Sequence, residues 1–253
     1  KRPVERAENS QVRMMLTSQV FAIMSKTAQK DQIESICKSA DKYLFDRQAG
    51  GYRLNTNFHE EKFDLGRMFG FAYGEKENGA VFSHMAVMYG NALYKNGYAK
   101  EGHKVLETLL DAAMDFENSR MYPGIPEYFD NQGRGLYAYL TGAASWYMLT
   151  MITEVFGVRG DLGDLVIAPS LLPEQFDEKG SAGLKLEFAR KKFEIIMHNP
   201  EKKDLRIEQI RRAVCDEKVV LEPEPEYGVR LRKSVIETLD PKKCHRIDVF
   251  FQE

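Results

Sequence analysis

The periodicity of apolar residues changes once along this chain, near Gly163, and this change constrains the fold more than any single motif. Residues 9–157 repeat apolar side chains at the three- and four-residue spacing of helices. Residues 164–251 instead contain short apolar runs, some of them alternating with polar residues and separated by turn residues, as strands do. We therefore predict two domains, a helical one over 1–163 and an all-β module over 164–253.

Five helices are predicted in the first domain, at about 10–27, from Asp31 onward, and at 80–96, 100–116 and 142–156. The third and fifth are apolar on nearly all sides and are expected to be buried, whereas the fourth is amphipathic. Alternation of buried and half-exposed helices is typical of a toroid in which an outer ring wraps an inner one. The expected fold is mainly α, a partial toroid followed by a small antiparallel β-sandwich.

Charge and cysteine content exclude several classes of protein. The 36 Lys and Arg residues balance 38 Asp and Glu residues, so we expect neither a nucleic acid nor an anionic membrane as a partner. No run of about 18 apolar residues is present. Cys37, Cys215 and Cys244 are far apart and form no C-x-x-C pair, which disfavours a disulfide framework or a zinc site and suits a reducing compartment.

The run GEKENGAVFSH (residues 74–84) is the first candidate for chemistry. Lys76 and Glu77 can hydrogen-bond to sugar hydroxyls, and either Lys76 or His84 can face an anion. The alternative is a capped helix start with solvated Lys76 and Glu77 and a core His84, and composition alone favours that alternative.

The run GRGLYAYLTGAASW (residues 133–146) is the second candidate. Thr141 is placed as the N-cap of a predicted buried helix, and Gly142 belongs to its first turn. The first N–H groups of a helix lack partners, and small residues let a phosphate approach them closely. The run is not a P-loop, and a plain capped helix packed by glycine and alanine explains it at least as well.

Other candidates are weaker. Glu127 and Asp130 could form a carboxylate pair, although acidic residues are common in surface loops. No two histidines have the spacing of metal ligands, and neither a metal nor an organic cofactor is expected.

Four segments together resemble a known family. They are KENGAVFSH (76–84), PEYF (126–129), YLTGAASW (139–146) and EVFGVRGDLGDLVIAPSLLPEQF (154–176). The chain resembles the C-terminal part of the inverting glycoside phosphorylases related to cellobiose phosphorylase, of the glycoside hydrolase family 94 type. That family is built on an (α/α)6 barrel, which matches the predicted toroid. The sequence looks closest to the β-1,2-oligoglucan phosphorylase branch.

The resemblance implies roles for individual residues. His84, Thr141 and Gly142 would bind inorganic phosphate, and Gln132 matches a glutamine that holds phosphate in relatives. Lys76 and Glu77 would lie close to the donor sugar. The family's general acid is an aspartate in an earlier barrel segment that has no counterpart here. The resemblance therefore implies an incomplete fragment without its own catalytic acid.

The function implied is part of a glycoside phosphorylase that cleaves a β-linked gluco-oligosaccharide with inorganic phosphate to give α-glucose 1-phosphate. Expected partners are that oligosaccharide, phosphate, and either the missing N-terminal part of the barrel or further copies of the chain. Sugar phosphates are useful inside cells, so a cytoplasmic location is expected. Two alternatives remain: a non-catalytic carbohydrate-binding or scaffolding fragment, and a hydrolase on the same toroid that uses Glu127 or Asp130 as base.

Overall fold

A computed structural model describes residues 4–8, 11–138, 142–204, 209–224 and 227–251. The chain divides into two compact units, Lys1–Met148 and Leu149–Glu253. The assignment of 1–163 to a catalytic domain and of 164–253 to a β module stays a prediction, because compactness does not define the limits of a family domain.

The described part of the first unit contains six α-helices. They are α1 (Leu16–Met24), α2 (Lys30–Tyr43), α3 (Ser83–Lys95), α4 (Ala99–Met114), the single turn α5 (Phe116–Ser119) and α6 (Gly142–Thr150), which runs across the division. Its strands are all short: β1 (Arg6–Glu8) and β2 (Gln11–Arg13), β3 (Phe45–Asp46) and β4 (Gly51–Tyr52), and the three-stranded sheet of β5 (Val81–Phe82), β6 (Tyr128–Phe129) and β7 (Gly135–Leu136).

The core of the first unit lies where α1, α2 and α4 surround α3. Helix α3 is buried on most of its surface, as its all-round apolar pattern predicts. It approaches α4 closely at two glycines: a Cβ on Gly102 would lie 3.1 Å from the carbonyl oxygen of Gly90. This close packing fixes the helix that carries His84 in its first turn.

The second unit is built from two sheets. Its strands are β8 (Val158–Asp161), β9 (Asp164–Ile167), β10 (Ser181–Phe188), β11 (Lys191–His198), β12 (Ile210–Cys215), β13 (Val219–Leu221), β14 (Pro223–Glu224), β15 (Gly228–Leu231) and β16 (Cys244–Phe251), with the short helix α7 (Lys233–Thr238). One sheet has the order β10-β11-β16-β12-β13 and the other the order β14-β15-β9-β8.

The larger sheet is mixed, which differs from the predicted antiparallel sandwich. After α7 the chain returns as β16, which inserts between β11 and β12. Strand β16 is parallel to β11 and antiparallel to β12. A parallel pair requires such a crossover, whereas hairpins alone would give the expected antiparallel order.

The prediction of a mainly α protein on a partial (α/α)6 toroid is wrong. Helices account for 37% and strands for 28% of the described residues, in seven helices and five small sheets. Each of the five predicted helices exists, but the first begins only at Leu16, because β1 and β2 form a hairpin before it. The glycine- and aromatic-rich segments between the helices form short paired strands, β3 with β4 and β6 with β5 and β7. The helical periodicity gave no sign of these strands.

Helix α6 also differs from expectation. It was predicted to be buried on most sides, yet Met148 is 59% and Leu149 is 46% exposed. Within the described part of the chain, no helix is both long and apolar enough to cross a membrane.

Candidate active site

A small sheet places His84 at the start of α3. Strand β5 pairs with β6, so that Phe82 lies opposite Tyr128, and the two rings stack at 6.4 Å between centroids. The amide of Ser83 then donates a 2.9 Å hydrogen bond to the carbonyl of Glu127. The segments GAVFSH and PEYF, distant in sequence, are therefore neighbours, and the first turn of α3 is fixed where they meet.

The imidazole of His84 lies directly against the first residue of α6. A Cβ built on Gly142 would be 2.3 Å from Cε1 and 2.4 Å from Nδ1 of that ring. The ring of Trp146, one turn along α6, has its centroid 5.6 Å from that of His84. The structure thus brings together His84 and Gly142 as the sequence predicts, whereas Thr141 lies outside the described residues.

The chemical state of His84 suits a ligand that accepts a hydrogen bond. Its Nε2 is buried and has no hydrogen-bond partner among the described residues. Burial lowers the pKa of His84 below that of a free histidine, so the ring is neutral near pH 7. A buried polar atom without a partner is costly, and a bound oxyanion would remove that cost.

Residues 74–79, which include Glu77-Asn78-Gly79 and are called the ENG turn below, form a tight turn. The amide of Gly74 donates to the carbonyl of Asn78 at 2.6 Å, and the amide of Asn78 donates to the carbonyl of Glu75 at 3.0 Å. Gly79 has a φ of +79°, and a Cβ there would lie 2.2 Å from the ring of Tyr73. Only glycine fits that position, which explains the Asn-Gly pair at the end of the turn.

Two side chains that sequence reasoning missed hold this turn: Asn55, which is fully buried, and Arg53, which is partly buried. Asn55 accepts a 2.8 Å hydrogen bond from the amide of Gly79 and donates to Oδ1 of Asn78 at 3.2 Å. Arg53 donates to the carbonyl of Gly79 at 2.8 Å and pairs with Asp46 at 2.9 Å. Neither residue belongs to a recognisable motif, since their contacts with Gly79 join positions more than twenty residues apart along the chain.

Lys76 and Glu77 lie in this turn but take different partners. The Lys76 ammonium lies 4.5 Å from the centroid of the Tyr137 ring, and a hydrogen bond with that tyrosine raises the pKa of the lysine. Oε1 of Glu77 pairs with Arg67 at 2.7 Å, while its Oε2 is buried and unpartnered among the described residues. Glu77 therefore keeps one oxygen for a ligand hydroxyl.

The structure gives Asp130 a structural role. This residue is 1% exposed, and its Oδ1 accepts from the amides of Gln132 and Arg134 while its Oδ2 pairs with the Arg134 guanidinium at 3.2 Å. Both oxygens are engaged, so Asp130 is not free to activate water. Gln132 lies in the same turn with an exposed side chain, and the prediction that it binds phosphate stays a prediction.

Residues 1–157 match the family described as "Glycosyl hydrolase 94 superfamily, catalytic domain". The chain belongs to this family. It is the family that the sequence resemblance named, and the match covers both segments that meet at His84 and Gly142.

Several curated relatives of this family member are glycoside phosphorylases. Cellobionic acid phosphorylase of Neurospora crassa is 26% identical over 176 residues, which is 65% of this chain and 22% of that protein. N,N'-diacetylchitobiose phosphorylase of Vibrio proteolyticus is 26% identical over 177 residues, again 65% of this chain and 22% of the relative. Solabiose phosphorylase of Paenibacillus borealis is 25% identical over 174 residues, or 64% and 22%. The match therefore spans about a fifth of the length of these relatives.

Proposed function

We propose that this chain supplies the phosphate side and part of the donor-sugar side of a glycoside phosphorylase site. The observation that carries the proposal is the imidazole of His84 against the first turn of α6, with Nε2 unpartnered. His84, the backbone of Gly142 and the neighbouring Thr141 would together surround an inorganic phosphate. An anion is favoured there because the N-terminus of a helix carries unpaired N–H groups and a partial positive charge.

The proposed reaction is phosphorolysis with inversion. A phosphate oxygen attacks the anomeric carbon from the face opposite the glycosidic oxygen, and that bond breaks as an acid protonates the leaving oxygen. The products are α-glucose 1-phosphate and a shortened acceptor. Phosphate takes the place of the water and base of an inverting hydrolase, which agrees with the engaged state of Asp130. None of the described residues is assigned the role of the acid, which we propose belongs to another part of a longer protein.

The donor sugar would contact the ENG turn. The free Oε2 of Glu77 can accept a hydroxyl hydrogen, and the Lys76 ammonium can donate to a sugar oxygen. The partly exposed rings of Phe71 and Tyr137, which contact the Lys76 ammonium, give this turn the mixed polar and apolar surface that sugars prefer.

We propose a β-linked gluco-oligosaccharide as substrate. The named relatives are phosphorylases of cellobionic acid, chitobiose and solabiose, so the family uses several disaccharides, and the β-1,2-oligoglucan branch stays a prediction. A need for phosphate and the release of a sugar phosphate support a cytoplasmic location.

Phosphate titration of the chain tests the site. We expect His84→Gln to raise the Kd for phosphate about tenfold or more, since a charged hydrogen bond contributes roughly 1.5–3 kcal/mol. His103→Gln is the matched control, because His103 lies on α4 and pairs with Glu107. An unchanged Kd in His84→Gln would overturn the proposed site. Sugar release at full rate without phosphate, measured in a protein that contains these residues, would favour a hydrolase instead.

A further inference from the structure

The second unit contains a cavity of about 600 Å³ that the proposed reaction does not use. It lies at the edge of the larger sheet where the parallel strands β11 and β16 end, at His198 and Phe251, and where the antiparallel strand β12 begins, at Ile210. Strand ends that meet at one edge place side chains from separate segments around a common space. This cavity is therefore a candidate binding site of its own.

A β-bulge gives the cavity two adjacent arginines. Ile210 pairs with Phe251 and Arg212 with Phe250, so Arg211 is an extra residue without an opposite partner in the ladder. Alternation along a regular strand would send neighbouring side chains to opposite faces, but a bulge removes that constraint. Both arginines are exposed and both line the cavity.

The lining carries an excess of positive charge. Lys203 is neutralised by Glu201, whose carboxylate is 2.5 Å from its ammonium. Lys179, Arg211 and Arg212 also line the cavity, and none of the three forms an ion pair with any residue in the ranges that the structure describes. Three unpaired cations stand out in a chain whose net charge is −2. They favour an anionic ligand, and guanidinium groups match the geometry of phosphate and carboxylate.

An aromatic surface adjoins these cations. Phe250 remains 39% exposed, although one side of its ring stacks on His198 with 4.7 Å between centroids and 10° between planes. His198 is held by Asp248 at 2.7 Å, and Arg246 binds the same carboxylate. A fixed, exposed ring beside cations can contact the apolar face of a sugar while the cations bind its charged group.

We propose that this cavity binds a sugar that carries an oxyanion, either a phosphate ester or a carboxylate. The arginines of the bulge bind the oxyanion, and Phe250 contacts the ring. The site lies wholly within the second unit, so it does not depend on the role proposed for His84.

Calorimetric titration of the His84→Gln chain, which lacks the proposed phosphate site, tests this inference with four probes. Glucose 1-phosphate and glucuronate, which both contain a sugar ring, report on the two oxyanions, inorganic phosphate reports on charge alone, and glucose reports on the ring alone. We expect at least one of the sugar anions to bind more tightly than phosphate, with affinity that falls as salt is added. Glucose should show no binding.

Arg211→Gln/Arg212→Gln in the same background should weaken the bound sugar anion about tenfold or more. Lys185→Gln is the matched control, because Lys185 is 74% exposed on β10 and pairs with Glu194 outside the cavity. Circular dichroism confirms that each variant is folded, and Arg212→Gln alone serves if the double variant is not. Equal affinity for phosphate and the sugar anions, no binding of either sugar anion, or an unchanged Kd in the folded arginine variant would overturn the proposal.

Discussion

The imidazole of His84 occupies the space in which a side chain at position 142 would begin. The ideal Cβ of Gly142 lies 2.3 Å from Cε1 of His84, closer than real Cβ contacts allow. The glycine and the histidine are therefore one feature: the absence of a side chain on α6 lets the ring lie against the first turn of that helix.

Gly142→Ala should displace the His84 ring and weaken phosphate binding about tenfold, because the added methyl group cannot share that space. Phosphate titration of the variant measures the effect. Gly70→Ala is a control for the exchange itself, since a Cβ at Gly70 would meet nothing within 4 Å. Equal losses in both variants would contradict a specific contact between His84 and Gly142.

The titration of His84 should respond to a bound anion. Burial lowers its pKa in the free protein, whereas a dianion at Nε2 favours the protonated ring and raises the pKa. NMR titration of the ring should therefore give a higher pKa with saturating sulfate, a dianion throughout the range, than without it. By linkage, sulfate should bind more tightly as the pH falls. A pKa that sulfate leaves unchanged would place the anion elsewhere.

The same shift makes stability depend on pH. Below the unfolded-state pKa of about 6.5 the unfolded chain binds the proton of His84 more readily than the folded chain does. Without anion, the free energy of unfolding should therefore fall as the pH drops from about 6.5 through the folded-state pKa. In His84→Gln, urea denaturation should show a smaller fall over that window. An identical pH profile would contradict the buried neutral ring.

Asp130→Asn should reduce the free energy of unfolding by about 1–3 kcal/mol, because it weakens the acceptor of two backbone amides and leaves Arg134 without its partner. Urea denaturation measures the change. Asp64→Asn, at a side chain 73% exposed, is the control and should stay within about 0.5 kcal/mol. If Asp130→Asn instead abolished turnover with stability intact, a catalytic role for Asp130 would return.

The three free cysteines should differ in reactivity. Cys244 is exposed, whereas Cys37 and Cys215 are buried. Burial raises the pKa of Cys37, and burial together with Asp216 raises that of Cys215 to about 11. A thiol reagent at pH 8 should label one cysteine in the native chain and three in urea, because the thiolate is the reactive form. Cys244→Ser should remove the native label, and rapid labelling of a second site would contradict this burial.

Sequence patterns predicted the helices well where packing follows periodicity. The amphipathic stripe of α4, with Val105, Leu106 and Leu109, is buried as expected, and Gly157 ends the helical segment with a φ of +66°. The helix-terminus argument and the family resemblance both single out Gly142, and the structure places it against His84. Their binding of phosphate stays a prediction.

Strand connections were harder to predict. The alternation of apolar and polar residues over 184–197 predicts one half-buried strand, but β10 and β11 form a hairpin that turns at Ala189 and Arg190, with φ values of +49° and +63°. Such turns usually contain Asn or Gly, and this one has neither, so the sequence carries no turn signal. The interactions of Arg53 and Asn55 were missed for a related reason: they are tertiary contacts, and no local pattern encodes them.

The position of β16 determines the order in which the larger sheet of the second unit can fold during synthesis on the ribosome. Strands β11 and β12 are neighbours of β16 and do not pair with each other. The edge of each strand that pairs with β16 therefore stays without its partner strand until residues 244–251 leave the exit tunnel. The β10-β11 hairpin can therefore form early in synthesis, whereas the larger sheet is completed only when β16 inserts between β11 and β12.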